Sequence, residues 1–122
     1  MIDHCGVNVS DYIDSRDFYK NALSAIGYEI IMEFDGQVAG FGKDNVPDFW
    51  IKCEDPVTTK AHVAFQSETR KHVDDFHKAG LGAGGTDNGP PGLRKHYHPN
   101  YYGAFILDPD GNNIEVVCHK PE

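Results

Sequence analysis

The sequence predicts an α+β fold, a mostly antiparallel sheet with its helices on one face, and three observations predict it. Two stretches of helical periodicity each follow a short strand-like run. Each helix is then followed by further runs of strand character. Turn residues (Gly, Pro, Asp and Asn) separate those runs. The order reads β-α-β-β-β, a connecting segment, then β-α-β-β-β again. Residues 1–122 thus form one domain of two similar halves, 1–54 and 60–122, with residues 55–59 as the linker. The halves share an order of elements but little sequence, which suggests a duplicated unit.

The first strand is predicted over residues 1–9. A helix follows from Asp11 to Ile26, with Ser10 as its N-cap and acidic residues near the first turn, where the helix dipole favours them. Tyr12, Phe18, Tyr19, Leu23 and Ile26 recur at roughly helical spacing. Gly27 sits where a left-handed C-terminal residue belongs. Strands are expected at Tyr28–Phe34, Gln37–Gly42 and Asp48–Cys53, the first two joined by the turn pair Asp35-Gly36 and the third introduced by Pro47. In the second half, Lys60–Gln66 reads as a strand and Thr69–Ala79 as a helix with Val73, Phe76 and Ala79 on one stripe, closed by Gly80. Gly80–Gly92 is rich in Gly and Pro and is expected to be a mobile loop, with a weak strand inside Leu81–Gly85. Its G-x-G-x-x-G string follows a helix instead of opening one, which excludes a dinucleotide fingerprint. Strands Tyr101–Leu107 and Asn113–His119 flank the turn Asp108-Pro109-Asp110-Gly111-Asn112.

Composition narrows the function classes. Hydrophobic residues are 39% and charged residues 25%, as in soluble globular chains. The 11 Lys and Arg against 19 Asp and Glu give a net charge of −8 with no basic cluster, which argues against nucleic acid and anionic membranes as partners. No apolar run is long enough to span a bilayer, and no secretory signal is read at the N-terminus, so a cytoplasmic location is expected. Cys5, Cys53 and Cys118 are odd in number and widely spaced, which predicts reduced thiols in or near a core.

Side chains alternate between the faces of a strand. Cys5, Val7 and Val9 oppose His4, Gly6 and Asn8. Val63 and Phe65 oppose His62, Ala64 and Gln66. Ile114, Val116 and Cys118 oppose Asn113, Glu115, Val117 and His119. The apolar sets are expected to pack under the helices. The opposite faces then carry His4, His62 and Glu115 beside small residues, a pattern that makes sense if those faces form a pocket.

Four segments carry a resemblance: Ile2-Asp3-His4, Asp17-Phe18-Tyr19, Ala61-His62-Val63-Ala64-Phe65, and the pattern Phe-x-x-Asp-Pro-Asp-Gly-Asn-x-x-Glu from Phe105 to Glu115. Through them, over nearly its whole length, the chain resembles the vicinal oxygen chelate superfamily, which includes glyoxalase I, extradiol dioxygenases, and fosfomycin- and bleomycin-resistance proteins. The segment His96-Tyr97-His98-Pro99-Asn100-Tyr101-Tyr102 resembles a bacterial glyoxalase-like subgroup. The resemblance implies two βαβββ modules around an open, barrel-like cavity. It also implies metal ligands at His4, His62 and Glu115, with a further ligand from the fourth strand. There the central cavity-facing residues are Trp50 and Lys52, with Asp48 and Glu54 at the strand ends, so the carboxylate of the glyoxalases is missing. Two histidines and one carboxylate with open positions suit Zn, Fe(II), Ni or Mn.

The expected function is that of a metal-dependent glyoxalase-like lyase, isomerase or dioxygenase acting on a small oxygen-rich metabolite. The alternative is a metal-free binding protein of the bleomycin-resistance type. His98 and Tyr101 are the candidate proton-transfer residues. Trp50, Lys52, Arg94, His96 and Tyr102 are candidate substrate contacts, Arg94 for an anionic group. His72, His77 and His119 read as surface or terminal residues. Exposed edge strands predict a homodimer.

Overall fold

Each half of the chain folds as one strand, one helix and three further strands. The elements are β1 (Cys5–Val9), α1 (Tyr12–Ser24), β2 (Glu29–Phe34), β3 (Val38–Lys43), β4 (Val46–Cys53), β5 (His62–Gln66), α2 (Arg70–Gly82), β6 (Thr86–Leu93), β7 (Tyr102–Leu107) and β8 (Asn113–Cys118). The computed structural model describes all residues from Met1 to Glu122. Two four-stranded sheets result, ordered β1-β4-β3-β2 and β5-β8-β7-β6, and they do not close into a barrel. In each, the first and last strands pair in parallel and the others antiparallel. No helix is long and apolar enough to cross a membrane.

Several boundaries differ from expectation, each for a local reason. β1 starts at Cys5 and not at Met1, because its one partner strand meets it first at the pair Cys5 and Phe49. Asp11, not Ser10, caps α1: its carboxylate accepts the Asp14 N–H at 3.0 Å. Ser10 instead donates its N–H and hydroxyl to Asp110. Asp44 and Asn45 adopt φ of 52° and 64°, a tight turn of the mirror-image kind that hairpins favour, so β4 begins at Val46 and takes Pro47 into the strand. Pro47 is tolerated there because the register shifts at this point and its partner is Gly42, whose absent Cβ leaves room for the Val46 carbonyl.

The second half corrects two further expectations. Gly80 does not end α2. It lies within the helix, buried, where a Cβ would stand 2.5 Å from Cδ1 of Ile106 on β7. The helix stops at Gly82, and Gly84, at φ 95°, takes the left-handed position beyond it. The stretch expected to be a mobile loop is instead the edge strand β6, paired to β7 with two register irregularities that accommodate Pro90 and Pro91. The weak strand is therefore Thr86–Leu93 and not part of Leu81–Gly85.

The helix-facing sides of both sheets build a single core. It contains Phe18, Tyr19, Phe41 and Phe49 from the first half and Phe65, Phe76, Ile106 and Val116 from the second. The Phe49 and Phe65 rings meet edge-on at 5.4 Å, so the halves share side chains instead of merely touching. Cys118 is buried and Cys53 half-buried, but Cys5 is exposed, outside the apolar set expected to include it; all three are free thiols.

The turn after β7 fastens the halves together. Asp108 accepts from the N–H groups of Asp110 at 2.9 Å and Asn112 at 2.8 Å, and from the Tyr19 hydroxyl of α1. Asn112 accepts the N–H groups of Lys60 at 3.0 Å and Ala61 at 2.9 Å. It donates to the Thr58 carbonyl at 2.8 Å and to Asp108 at 3.0 Å.

Candidate functional site

Both sheets leave the face opposite the helices largely open, and alternation decides which side chains stand on it. On the second sheet, Ala64 of β5, Glu115 of β8 and Phe105 of β7 lie side by side, so Glu115 sits mid-sheet. Its side chain is only 2% exposed, and His62 Nε2 lies 2.9 Å from its Oε1. The Tyr101 hydroxyl donates to its Oε2. Gly103 makes room for this contact, since a Cβ there would stand 3.2 Å from Glu115 Oε2 and 3.2 Å from the Tyr101 ring. Burial first, and then the Glu115 carboxylate, push the Tyr101 phenol well above its usual range, so it stays protonated and keeps donating.

A second polar pair flanks Tyr101. The Asn100 N–H donates to His98 Nδ1 at 3.1 Å, which leaves His98 Nε2 as the N–H that faces His119 Nδ1 at 2.8 Å. The Tyr101 ring meets both imidazoles at centroid distances of 5.4 Å. Further out, His96 packs on Tyr97 and Tyr97 on Tyr101. The Arg94 guanidinium lies 5.4 Å over the Phe105 ring and donates to the Pro90 carbonyl at 2.7 Å, and Phe105 in turn neighbours His62. Of the sequence candidates, His62, Glu115, Tyr101, His98, Arg94 and His96 thus gather on or around this face. Tyr102 is placed elsewhere: its hydroxyl donates to Asp74 of α2 at 2.6 Å and Arg70 covers its ring.

On the first sheet, Gly6, Trp50, Gly40 and Met32 form one row across the four strands, and Asn8, Lys52, Val38 and Phe34 form the next. Gly6–Trp50–Gly40 therefore corresponds strand for strand to Ala64–Glu115–Phe105, which makes Trp50 the positional counterpart of Glu115. Lys52 is ion-paired to Glu54 at 2.9 Å. Asp48 occupies the register shift of β4, and its carboxylate accepts from the Tyr28 hydroxyl at 2.8 Å.

His4 precedes β1. Its side chain is 60% exposed and bonded to Asp3 at 2.7 Å. With Ile2, Asp3 and Cys5 it lines a shallow cleft of about 180 Å³ against Val63–Gln66 of β5. No three His, Cys, Asp or Glu side chains of the chain stand close enough together to hold a metal ion. One chain thus brings His62 and Glu115 together and leaves His4 apart. The functional neighbour that sequence reading missed is His119. Alternation had put it on the Glu115 face, but its place at the end of the last strand read as terminal surface.

Two βαβββ modules with helices outside and chemistry-bearing residues on the open faces define a recognisable class of small α+β proteins. The model of the Glyoxalase/Bleomycin resistance protein/Dioxygenase superfamily matches residues 1–116, and the chain belongs to that superfamily. A glyoxalase/bleomycin resistance protein from Albidiferax ferrireducens is 28% identical, with a TM-score of 0.82 and 97% of each chain covered. A glyoxalase/dioxygenase from Nostoc punctiforme shares the fold at 20% identity and a TM-score of 0.73, over 99% of this chain and 92% of that one. A lactoylglutathione lyase from Agrobacterium tumefaciens does so at 19% identity and a TM-score of 0.68, over 97% and 92%. No curated protein matches.

Proposed function

We propose that this chain is a metal-dependent glyoxalase-like enzyme, a lyase, isomerase or dioxygenase, that acts on a small oxygen-rich metabolite as a homodimer. The observation that carries this reading is the contact of His62 Nε2 with Glu115 Oε1 at 2.9 Å in the middle of an open sheet face. The nearly buried Glu115 carboxyl has only a histidine and a phenol as side-chain partners, and burial makes an unmatched carboxylate charge costly. A divalent cation matches that charge, and imidazole with carboxylate is a donor set that Zn, Fe(II), Ni and Mn all accept. His62 and Glu115 would hold it within one chain. His4, exposed on a segment outside the sheet, would join them from a second copy.

When bound, the cation supplies Lewis-acid polarisation of a substrate oxygen. The chain's own residues do the rest. Tyr101 holds a proton at Glu115 Oε2, and the His98–His119 pair moves protons at the rim. Arg94 and His96 receive an anionic or polar substrate group, with Trp50 and Lys52 on the other wall. Tyr102, committed to Asp74, serves the packing of α2. Trp50 in the counterpart position of Glu115 favours a three-ligand centre over a four-ligand one. The names carried by the Agrobacterium and Nostoc relatives include two of the three reaction classes proposed, lyase and dioxygenase.

Metal analysis after expression in supplemented medium tests the reading. The expected result is one cation per chain, with loss of the metal in His62→Ala, Glu115→Gln and His4→Ala. Cation at a hundred times its Kd raises stability by about 2.7 kcal/mol, which a thermal melt detects. Melting unchanged by Ni, Zn, Mn and Fe(II), together with metal-free protein, overturns it. One observation favours a second reading, a metal-free binding protein: both Glu115 oxygens already have hydrogen-bond partners in His62 and Tyr101. That reading expects melting to respond to small organic ligands and not to cations.

A further inference from the structure

We infer that the open face of the first sheet is a stacking platform for a planar aromatic ring bearing an anionic oxygen. The inference deepens the small-molecule reading above and is independent of whether a metal is bound. Three observations carry it. First, the Trp50 side chain packs over the neighbouring strand at Gly40: a Cβ there would stand 2.8 to 3.0 Å from three carbons of its six-membered ring. Gly40 thus forms a floor for the six-membered ring of the indole, while Gly6 on the other neighbouring strand leaves room for the Trp50 backbone and Cβ. Second, the strand pairs that place Trp50 over Gly40 continue to Met32, and the next row ends at Phe34. These two apolar side chains are 45% and 51% exposed on the same face, as a rim beside the indole. Third, Lys52 stands next to Trp50 on that face. Its only ion-pair partner is Glu54, and with side chains 52% and 50% exposed the pair is weak and readily exchanged for a ligand anion.

Size selects the occupant. Four strands about 4.8 Å apart and two successive same-face residues along each mark out roughly 14 by 7 Å, on the order of 100 Å². A stable protein interface needs about 800 Å² from each partner. The platform has the footprint of one or two aromatic rings, not of a second chain. An indole face prefers offset stacking on another π-system, and the adjacent ammonium fixes the sign of the substituent.

Trp50 is the single tryptophan of the chain, so its fluorescence reports this face alone. The probes are benzoate, its saturated counterpart cyclohexanecarboxylate, and neutral benzyl alcohol, titrated into purified protein and into the Glu115→Gln variant. The expected result is saturable quenching by benzoate, about fivefold weaker binding of cyclohexanecarboxylate, consistent with the worth of an aromatic pair, and the same ratio in Glu115→Gln. Gly40→Ala, which lifts the indole from its floor, should abolish the preference for the aromatic acid. Lys52→Met, which leaves the floor intact, should erase the advantage of benzoate over benzyl alcohol. Equal affinity for the aromatic and saturated acids, or an unchanged preference in a folded Gly40→Ala protein, overturns the inference. Metal-free wild-type protein that still shows the aromatic preference would sink the metal reading and leave the platform standing, whereas one cation per wild-type chain with no aromatic preference would do the reverse.

Discussion

Asn112 places both ends of its carboxamide in four hydrogen bonds while fully buried, and few single residues here are tied to so many segments. Replacing it with Ala leaves the Lys60 and Ala61 N–H groups and the Thr58 carbonyl without partners. A fully buried orphan costs about 1–3 kcal/mol. Lys60, however, is exposed and Thr58 and Ala61 are half-buried, so water offsets part of the loss. Asn112→Ala should therefore lower unfolding stability by about 2 kcal/mol in urea titration. The turn containing it was legible, because Asp, Pro, Gly and Asn in that order favour one local geometry. The bond from Tyr19 to Asp108 was not legible, because it joins residues 89 positions apart and only tertiary packing brings them together. The same holds at the candidate site. Strand alternation correctly grouped His62 with Glu115, yet nothing local announces that His98 meets His119 across 21 positions. Ser10 and Asp11 show the opposite limit: two adjacent residues both suit an N-cap, and the distant carboxylate of Asp110 decides between them by engaging Ser10.

At the scale of elements, α2 is the instructive case. Periodicity placed it well, and Thr69 caps it through the His72 N–H at 3.2 Å; Thr69→Ala should cost about 1 kcal/mol. Its end was misjudged because Gly80 is a good stop signal used for something else, the close approach of Ile106. Gly80→Ala sets about 1 kcal/mol of helix propensity against about 1–3 kcal/mol of overpacking. The expected outcome is net destabilisation in the wild-type background. With Ile106→Val, which removes the colliding Cδ1, the change should turn neutral or stabilising. A double-mutant cycle by chemical denaturation measures that coupling, and additive effects would refute the steric account. β6 was hidden for a related reason: Gly and Pro read as loop, but an edge strand with register irregularities tolerates both. Asp44-Asn45 escaped notice as a turn because neither residue is Gly, although both adopt positive φ.

At the scale of the molecule, the repeated order of elements was the legible part, and the sharing of one core between the halves was not. The core predicts one cooperative unfolding transition, with the two modules melting together. It also predicts alkaline sensitivity. Burial, and then the Glu33 carboxylate, push Tyr12 up to about 12, and the Asp74 carboxylate followed by burial pushes Tyr102 up to about 12. Burial chiefly raises Tyr19 and Tyr28 as well. Raised phenols favour the folded state below pH 10, the usual tyrosine value. As pH rises from there to about 12, the unfolded chain ionises first and that stability is lost. Denaturation midpoints should therefore fall steeply across this window, and less steeply in Tyr12→Phe; a flat profile contradicts the assignment. The position of the Asp108–Asn112 clasp has a wider consequence. It ties the linker, α1 and the last hairpin together from the helix side, while the residues proposed for chemistry stand mostly on the opposite faces. Stability and reactivity thus answer to largely separate sets of residues. Such a scaffold can exchange a carboxylate for an indole at matching positions of its two halves and remain folded, which leaves each half free to drift toward a different ligand under selection.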